Sequence, residues 1–200
     1  MILGFRRGNM TTCEIVDILF DGNTKLWKTP RGYQCNFSLY RCNLDRDDVP
    51  NLFEFEIDKS LSVSNPYITI NFPDADINEI YKHDEKFNQD KLNYMMKMFS
   101  EDIIRKYGKE LTYIAFSILH EVGHWKYFCD NNYSPQEYEE NDSIERKNFY
   151  KENTGKNTEE SFLKYRKITS EKEADKYAMS KLEDALESIT SWKKVKYGRV

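Results

Sequence analysis

Ser117–Phe128 reads SILHEVGHWKYF and holds two of the three histidines in the chain. His120 and His124 are four residues apart, and Glu121 directly follows the first. The stretch continues a periodic apolar segment in which Leu111, Ile114, Ala115, Ile118, Leu119 and Val122 recur at helical spacing. That spacing predicts a helix from about Lys109 to Phe128. On such a helix both histidines share one face, one turn apart, and continue the side of the buried stripe. Two imidazoles so placed reach one zinc ion at Zn–N distances of about 2.0–2.1 Å. Glu121 lies about 100° further round, so it misses the metal but reaches a water bound to it. There it acts as a general base on a water that zinc has acidified to a pKa of about 7. Gly123 costs the helix up to about 1 kcal/mol, so its presence predicts a second backbone passing close by.

Composition alone produces such a pattern in roughly one chain in two hundred. The plainer reading is an amphipathic helix whose histidines make ordinary polar contacts. Burying two histidines and a glutamate beside an apolar stripe without partners is costly, and a metal removes that cost.

A catalytic zinc takes three protein ligands and keeps one position open. The remaining histidine, His83, falls in a polar stretch predicted as a loop. The segment TSEKEADKYAMSKL supplies a better third ligand. Glu171 and Asp175 are four apart and extend the apolar face of Ala174, Ala178 and Leu182. Glu173 points away and reads as a capping or surface residue. Glu171 is therefore the expected third ligand. Asp175 is expected behind the ligands, accepting the free N–H of a histidine and fixing its tautomer. Ligands of this kind also accept manganese, iron or cobalt.

Around this centre the chain reads as α+β, a small, mostly antiparallel sheet followed by a helical half. Glu14–Phe20, rich in Ile, Val and Leu before the turn signal Asp21-Gly22-Asn23, reads as a strand, with Tyr33–Tyr40 as its partner. Phe53, Phe55 and Ile57 alternate with Glu54, Glu56 and Asp58, and Ile68, Ile70 and Phe72 with Thr69 and Asn71, giving two more strands. Asn65-Pro66 breaks the chain between them, and Pro73 ends the second. Leu92, Met95, Met96, Phe99 and Ile103 predict one helix over Leu92–Tyr107, stopped by Gly108. The polar stretch from Cys129 to about Thr158 reads as a lid or a surface loop, with a short helix near Ser143–Tyr150. A last helix is expected over Ser170–Ile189, with Ser170 and Glu173 as a capping box and a start as early as Thr158 allowed. Candidate donors to a reacting carbonyl oxygen are His83, Tyr127, Tyr133 and Tyr150. Cys129 could mask a metal but reads as an ordinary core cysteine, and Trp125, Tyr127 and Phe128 read as core.

With 200 residues, 39% of them hydrophobic, the chain can build one domain with a real core. A net charge of −4 gives no basic face, so no nucleic-acid partner is expected. No stretch approaches the roughly 20 apolar residues of a membrane span, and the start lacks a signal-peptide pattern, so a cytoplasmic location is expected. Cys13, Cys35, Cys42 and Cys129 form no C-x-x-C pair and read as reduced thiols.

His120-Glu121-Val122-Gly123-His124 followed by Glu171-Lys172-Glu173-Ala174-Asp175 resembles the gluzincin zinc metallopeptidases. These carry HExxH on one helix and a glutamate ligand on a later one. The E-x-E-A-D-x-x-A form of Glu171–Ala178 is similar to the minigluzincins and the ImmA/IrrE family. The resemblance implies a zincin-like metallopeptidase domain over 61–190, with a β-rich region over 1–60 that either belongs to it or precedes it, and a basic tail over 191–200. It implies a zinc-dependent endopeptidase with Glu121 as base and His120, His124 and Glu171 on the metal. The substrate is then a protein or peptide, paired as an extended strand on a sheet edge, with Tyr67–Phe72 as the expected edge. By analogy with ImmA/IrrE relatives the substrate is an intracellular repressor. The alternative is an inactive zinc-binding interaction module with the same fold.

Overall fold

A computed structural model of the chain describes residues 10–45, 52–60, 66–153 and 159–197. In chain order the elements are α1 (Thr12–Leu19), β1 (Lys25–Lys28), β2 (Gln34–Tyr40), β3 (Glu54–Asp58) and β4 (Tyr67–Pro73). Then follow α2 (Ile77–Phe87), α3 (Gln89–Met96), α4 (Glu101–Tyr107), α5 (Lys109–Asp130), α6 (Pro135–Asn153), α7 (Glu159–Tyr165) and α8 (Thr169–Tyr197). The fold is α+β. The sheet has the order β1-β2-β4-β3, with β1 and β3 antiparallel to their neighbours and β2 parallel to β4. It runs across residue 60, because β2 and β3 both pair with β4.

α5 organises the molecule. Its residues from Leu111 to Trp125 are all buried, and Phe128 as well. A helix covered on every side sits in the middle of a core, and α5 lies between β3 and β4 on one side and α8 on the other. Gly108 separates α4 from α5 with φ 85°, a left-handed value that glycine adopts without strain. α5 and α8 approach so closely at Gly123 that an added Cβ there would stand 2.7 Å from the Cα and the carbonyl oxygen of Ala174. The expected close backbone is thus α8 itself, three residues beyond Glu171. Gly123→Ala is expected to push the two helices apart and cost about 1–3 kcal/mol, read as a lower thermal midpoint. An unchanged midpoint would mean that this contact is slack.

Several expectations need correction. Glu14–Phe20 is the body of a helix, not a strand. Thr11 and Glu14 form a reciprocal capping box, and Ile15 and Val16 are buried by packing on α8 and α5. The partner of β2 in that region is instead β1. Leu92–Tyr107 is two helices, because Ser100 caps a new one through Ile103 N–H. His83 is buried on α2, an amphipathic helix capped by Asp76, rather than in a loop. The segment Cys129–Thr158 holds one long helix, α6, from Pro135 to Asn153; 154–158 lie outside the described residues. Ser170 is no cap, since α8 starts at Thr169 and the Ser170 hydroxyl donates to Asp142. α8 continues to Tyr197, so most of the basic tail is helical. Finally, β4 is an inner strand, and the sheet edge beside the motif helix α5 is β3. Asn65 lies outside the described residues.

Other expectations about the elements are met. β3 and β4 fall on the alternating segments, and α5 on the apolar stripe. Trp125 and Phe128 are core, whereas Tyr127 is only partly buried. All four cysteines are free. Among the described residues, no helix is long and apolar enough to cross a membrane.

Candidate metal centre

His120 and His124 lie one turn apart on α5 with Glu121 next to the first, and the apolar stripe that buries the helix carries all three inward with it. Their exposures are 6%, 9% and 5%. α8 crosses at Gly123 and brings Glu171, 3% exposed, against the two imidazoles. His120 Nε2 is 3.2 Å from His124 Nε2 and 3.2 Å from Glu171 Oε2, and His124 Nε2 is 3.7 Å from Glu171 Oε1. A tetrahedral zinc with bonds of about 2.0–2.1 Å sets its ligand atoms about 3.3–3.4 Å apart. The three side chains therefore fit one ion, and their ligand atoms all lie within 4.8 Å of one another.

The outer nitrogens have partners of their own. His120 Nδ1–H donates to Asp175 Oδ1 at 3.0 Å, as expected for Asp175. His124 Nδ1 pairs with the hydroxyl of Tyr138, on α6, at 3.2 Å. When each ring is neutral with its proton on Nδ1, both Nε2 lone pairs face each other and the Glu171 carboxylate, the arrangement that a metal needs. Such a cluster of acceptors draws positive charge, which Arg146 and Arg166 supply at Glu171 and which a metal ion or a proton on His120 Nε2 would supply between the rings.

Charge at the site points the same way. Burial by itself raises the Glu171 carboxyl, but His124, His120 and Arg166 hold it well below the usual carboxylate range. Burial pushes His124 down to about 3, so its ring is neutral. Burial and Arg166 also oppose a charge on His120, yet its bonds to Asp175 and Glu171 leave its pKa raised: these surroundings favour a positive charge. Burial raises the Glu121 carboxyl, with His120 and the Phe55 N–H acting against it. Glu121 does not join the three donors; its Oε2 accepts from the Phe55 N–H of the edge strand β3 at 2.8 Å.

Two arginines complete the shell, and neither was foreseen. Arg146, on α6, donates to Glu171 Oε1 at 2.7 Å and also binds Asp142 and the Tyr165 hydroxyl. Tyr165 donates to the same Glu171 oxygen at 2.9 Å. Arg166, in the turn after α7, forks onto Asp175, with Nε–H to Oδ2 at 2.9 Å and Nη2–H to Oδ1, and reaches Glu171 Oε2 at 3.2 Å. Around the site Glu54, Glu121, Asp142, Glu171 and Asp175 stand beside Arg146, Arg166 and Lys91. Glu173 is partly exposed and faces Lys176 at 3.4 Å, away from the cluster.

The cluster opens into a cavity of about 790 Å³. Its floor is the motif face of α5, and its walls come from β3, α3, α6 and α7, with Phe53, Phe55, Met95, Phe149 and Phe162 giving apolar surface. The segment read as lid or loop is thus a wall of the cavity. Tyr150 lines it, whereas His83, Tyr127, Tyr133 and Cys129 do not. His83 faces Asp84, which also accepts from Tyr113 at 2.6 Å, and Tyr127 faces Tyr133 at 3.3 Å. Cys129 is a partly buried thiol raised to about 11 by burial.

Comparison with protein-family models, with curated proteins and with solved structures finds no match to this chain.

Proposed function

We propose that this chain is a zinc-dependent endopeptidase of the gluzincin type. The observation that carries the reading is the donor triad His120, His124 and Glu171, spaced as the edges of a zinc tetrahedron, with Glu121 beside it on the same helix and a cavity in front. His120, His124 and Glu171 would hold the zinc, which when bound would supply the Lewis acidity that lowers the pKa of water and polarises a carbonyl. Glu121 takes the proton of the attacking water and delivers it to the departing amine. Its burial raises its affinity for that proton, and the Phe55 N–H holds the carboxylate in place. Asp175 and Tyr138 orient the two histidines, and Arg146, Arg166 and Tyr165 orient Glu171.

The cavity suits an extended peptide, and the edge that borders it is β3, so main-chain pairing falls to Glu54–Asp58. Phe55 N–H already serves Glu121, which leaves the other outward groups of β3 for the substrate. The substrate is a protein or peptide of the cytoplasm, in line with the absence of a spanning helix among the described residues. A repressor substrate, as in the ImmA/IrrE family, is an analogy that the E-x-E-A-D-x-x-A form supports.

The test is incubation of the zinc-loaded protein with a diverse peptide library and with β-casein, products being read by mass spectrometry. Cleavage that stops with 1,10-phenanthroline and returns with zinc is expected. A folded, zinc-loaded protein that cuts nothing would count against the reading.

Tyr138→Phe gives a further expectation. It leaves the buried His124 Nδ1–H without its acceptor. Zinc affinity should fall by about tenfold, at the low end of the effect of removing such partners, as measured by competition with a chromophoric chelator. Unchanged affinity would take Tyr138 out of the metal centre.

A further inference from the structure

When water adds to a peptide carbonyl, the oxygen gains charge, and an enzyme needs a fixed donor aimed at it. Three of the four side chains that the sequence offered for this task, His83, Tyr127 and Tyr133, do not line the cavity. Tyr150 does, but it is 59% exposed, so its hydroxyl works in water rather than in the dry surroundings that strengthen such a donor. Arg166 meets the requirement. Its side chain is 12% exposed and borders both the donor triad and the cavity. Its Nη1 and Nη2 each lie 3.5 Å from a ring nitrogen of His120, and Nη1 is 3.2 Å from Glu171 Oε2. The fork onto Asp175 locks the guanidinium plane. Its Nε–H, one Nη2–H and one Nη1–H are committed to carboxylates, and a guanidinium has five N–H groups in all. The other N–H of Nη1 and of Nη2 lies beside the His120 ring, whose Nδ1 is itself a donor to Asp175 and whose Nε2 belongs to the donor triad, and Arg166 as a whole lines the cavity. Arg146 is placed differently, on the other oxygen of Glu171, and is further engaged by Asp142 and Tyr165.

We propose that Arg166 is a catalytic residue that stabilises the oxyanion of peptide hydrolysis, a role that rests on the peptidase reading above. The water oxygen bonds to the carbonyl carbon, and the C=O π pair moves onto the oxygen, which accepts a hydrogen bond from Arg166. The water proton passes to Glu121. The adduct then reforms the C=O and breaks the C–N bond, and Glu121 hands its proton to the amine. Because the guanidinium is already fixed and charged at any working pH, it needs no reorganisation when the oxyanion forms.

The experiment uses the zinc-loaded full chain, a fluorescence-quenched peptide built on a cleaved β-casein site, and a phosphinic peptide that mimics the tetrahedral adduct. Arg166→Lys keeps a cation beside Asp175 and Glu171, but it cannot fork onto Asp175 and reach the carbonyl together. It is expected to keep one zinc per chain, lose about 10²–10³-fold in kcat with KM within about threefold, and bind the phosphinic peptide more weakly by a similar factor. Arg166→Ala should regain part of its kcat when guanidinium is added. An Arg166→Lys variant with zinc bound and kcat within about threefold of wild type overturns the assignment. So does loss of zinc from Arg166→Lys, which would make Arg166 only a holder of the ligands. Wild-type protein that binds zinc but cleaves no peptide removes the peptidase reading and this assignment with it, and is told apart by the wild-type assay alone.

Discussion

Glu121→Gln should bind zinc as wild type does and lose about 10³-fold in kcat, the scale of a general base. The amide keeps the length of the side chain, and its oxygen can still accept from Phe55 N–H, so β3 stays attached to α5. What it cannot do is carry a proton from water to the leaving amine. Stability gives an independent check. The Glu121 carboxyl has a folded pKa raised by burial, so ionisation above its unfolded value opposes folding. A neutral amide removes that opposition at neutral pH, and the thermal midpoint in chelator should equal or exceed that of wild type. Zinc content and melting together show that any lost activity is chemical rather than structural. If the chain were an inactive zinc-binding interaction module, Glu121→Gln would leave its function intact. Retained hydrolysis in this variant would exclude Glu121 as the base.

Glu171→Ala should lower zinc affinity by about 10³-fold or more, because one ligand of three and the only ligand charge are lost. Two further effects accompany it. Arg146 and Tyr165 lose their shared acceptor, and Arg166 keeps only its contacts to Asp175 and His120. Those buried donors cost about 1–3 kcal/mol of stability when left unpaired. Glu173→Ala, two residues away on the outer side of α8, removes only a surface contact to Lys176. It should leave zinc bound and shift stability by no more than about 0.5 kcal/mol. Measuring both variants by chelator competition separates a ligand from a neighbour of the same chemistry. Equal zinc affinity in the two would mean that Glu171 serves the arginines and not a metal.

α5 was legible because one signal, the apolar stripe from Leu111 to Val122, both makes the helix and sets the direction of His120 and His124. Glu171 and Asp175 were legible for the same reason, as they extend the Ala174–Ala178–Leu182 face, and those three residues are buried. β3 and β4 followed from strict alternation. α1 was missed because Ile15-Val16 and Ile18-Leu19-Phe20 read as strand by composition, while the deciding features were the Thr11–Glu14 capping box and docking on α8. The edge strand was misplaced because order within a sheet depends on long-range pairing: β4 is later in the chain than β3 yet lies inside it. Arg146, Arg166, Tyr138 and Tyr165 carry no periodic signal. They reach the centre only because α6 and α7 fold back as cavity walls. A search for cations able to balance two inward carboxylates at Glu171 and Asp175 would have raised Arg166, which precedes Glu171 by five residues.

The central claim is a metal held by His120, His124 and Glu171. The most direct measurement is zinc per chain by plasma mass spectrometry on folded wild-type protein, before and after zinc is added back and excess removed. The account predicts about one zinc per chain. Folded protein that takes up no metal, even after zinc is added back, would contradict it.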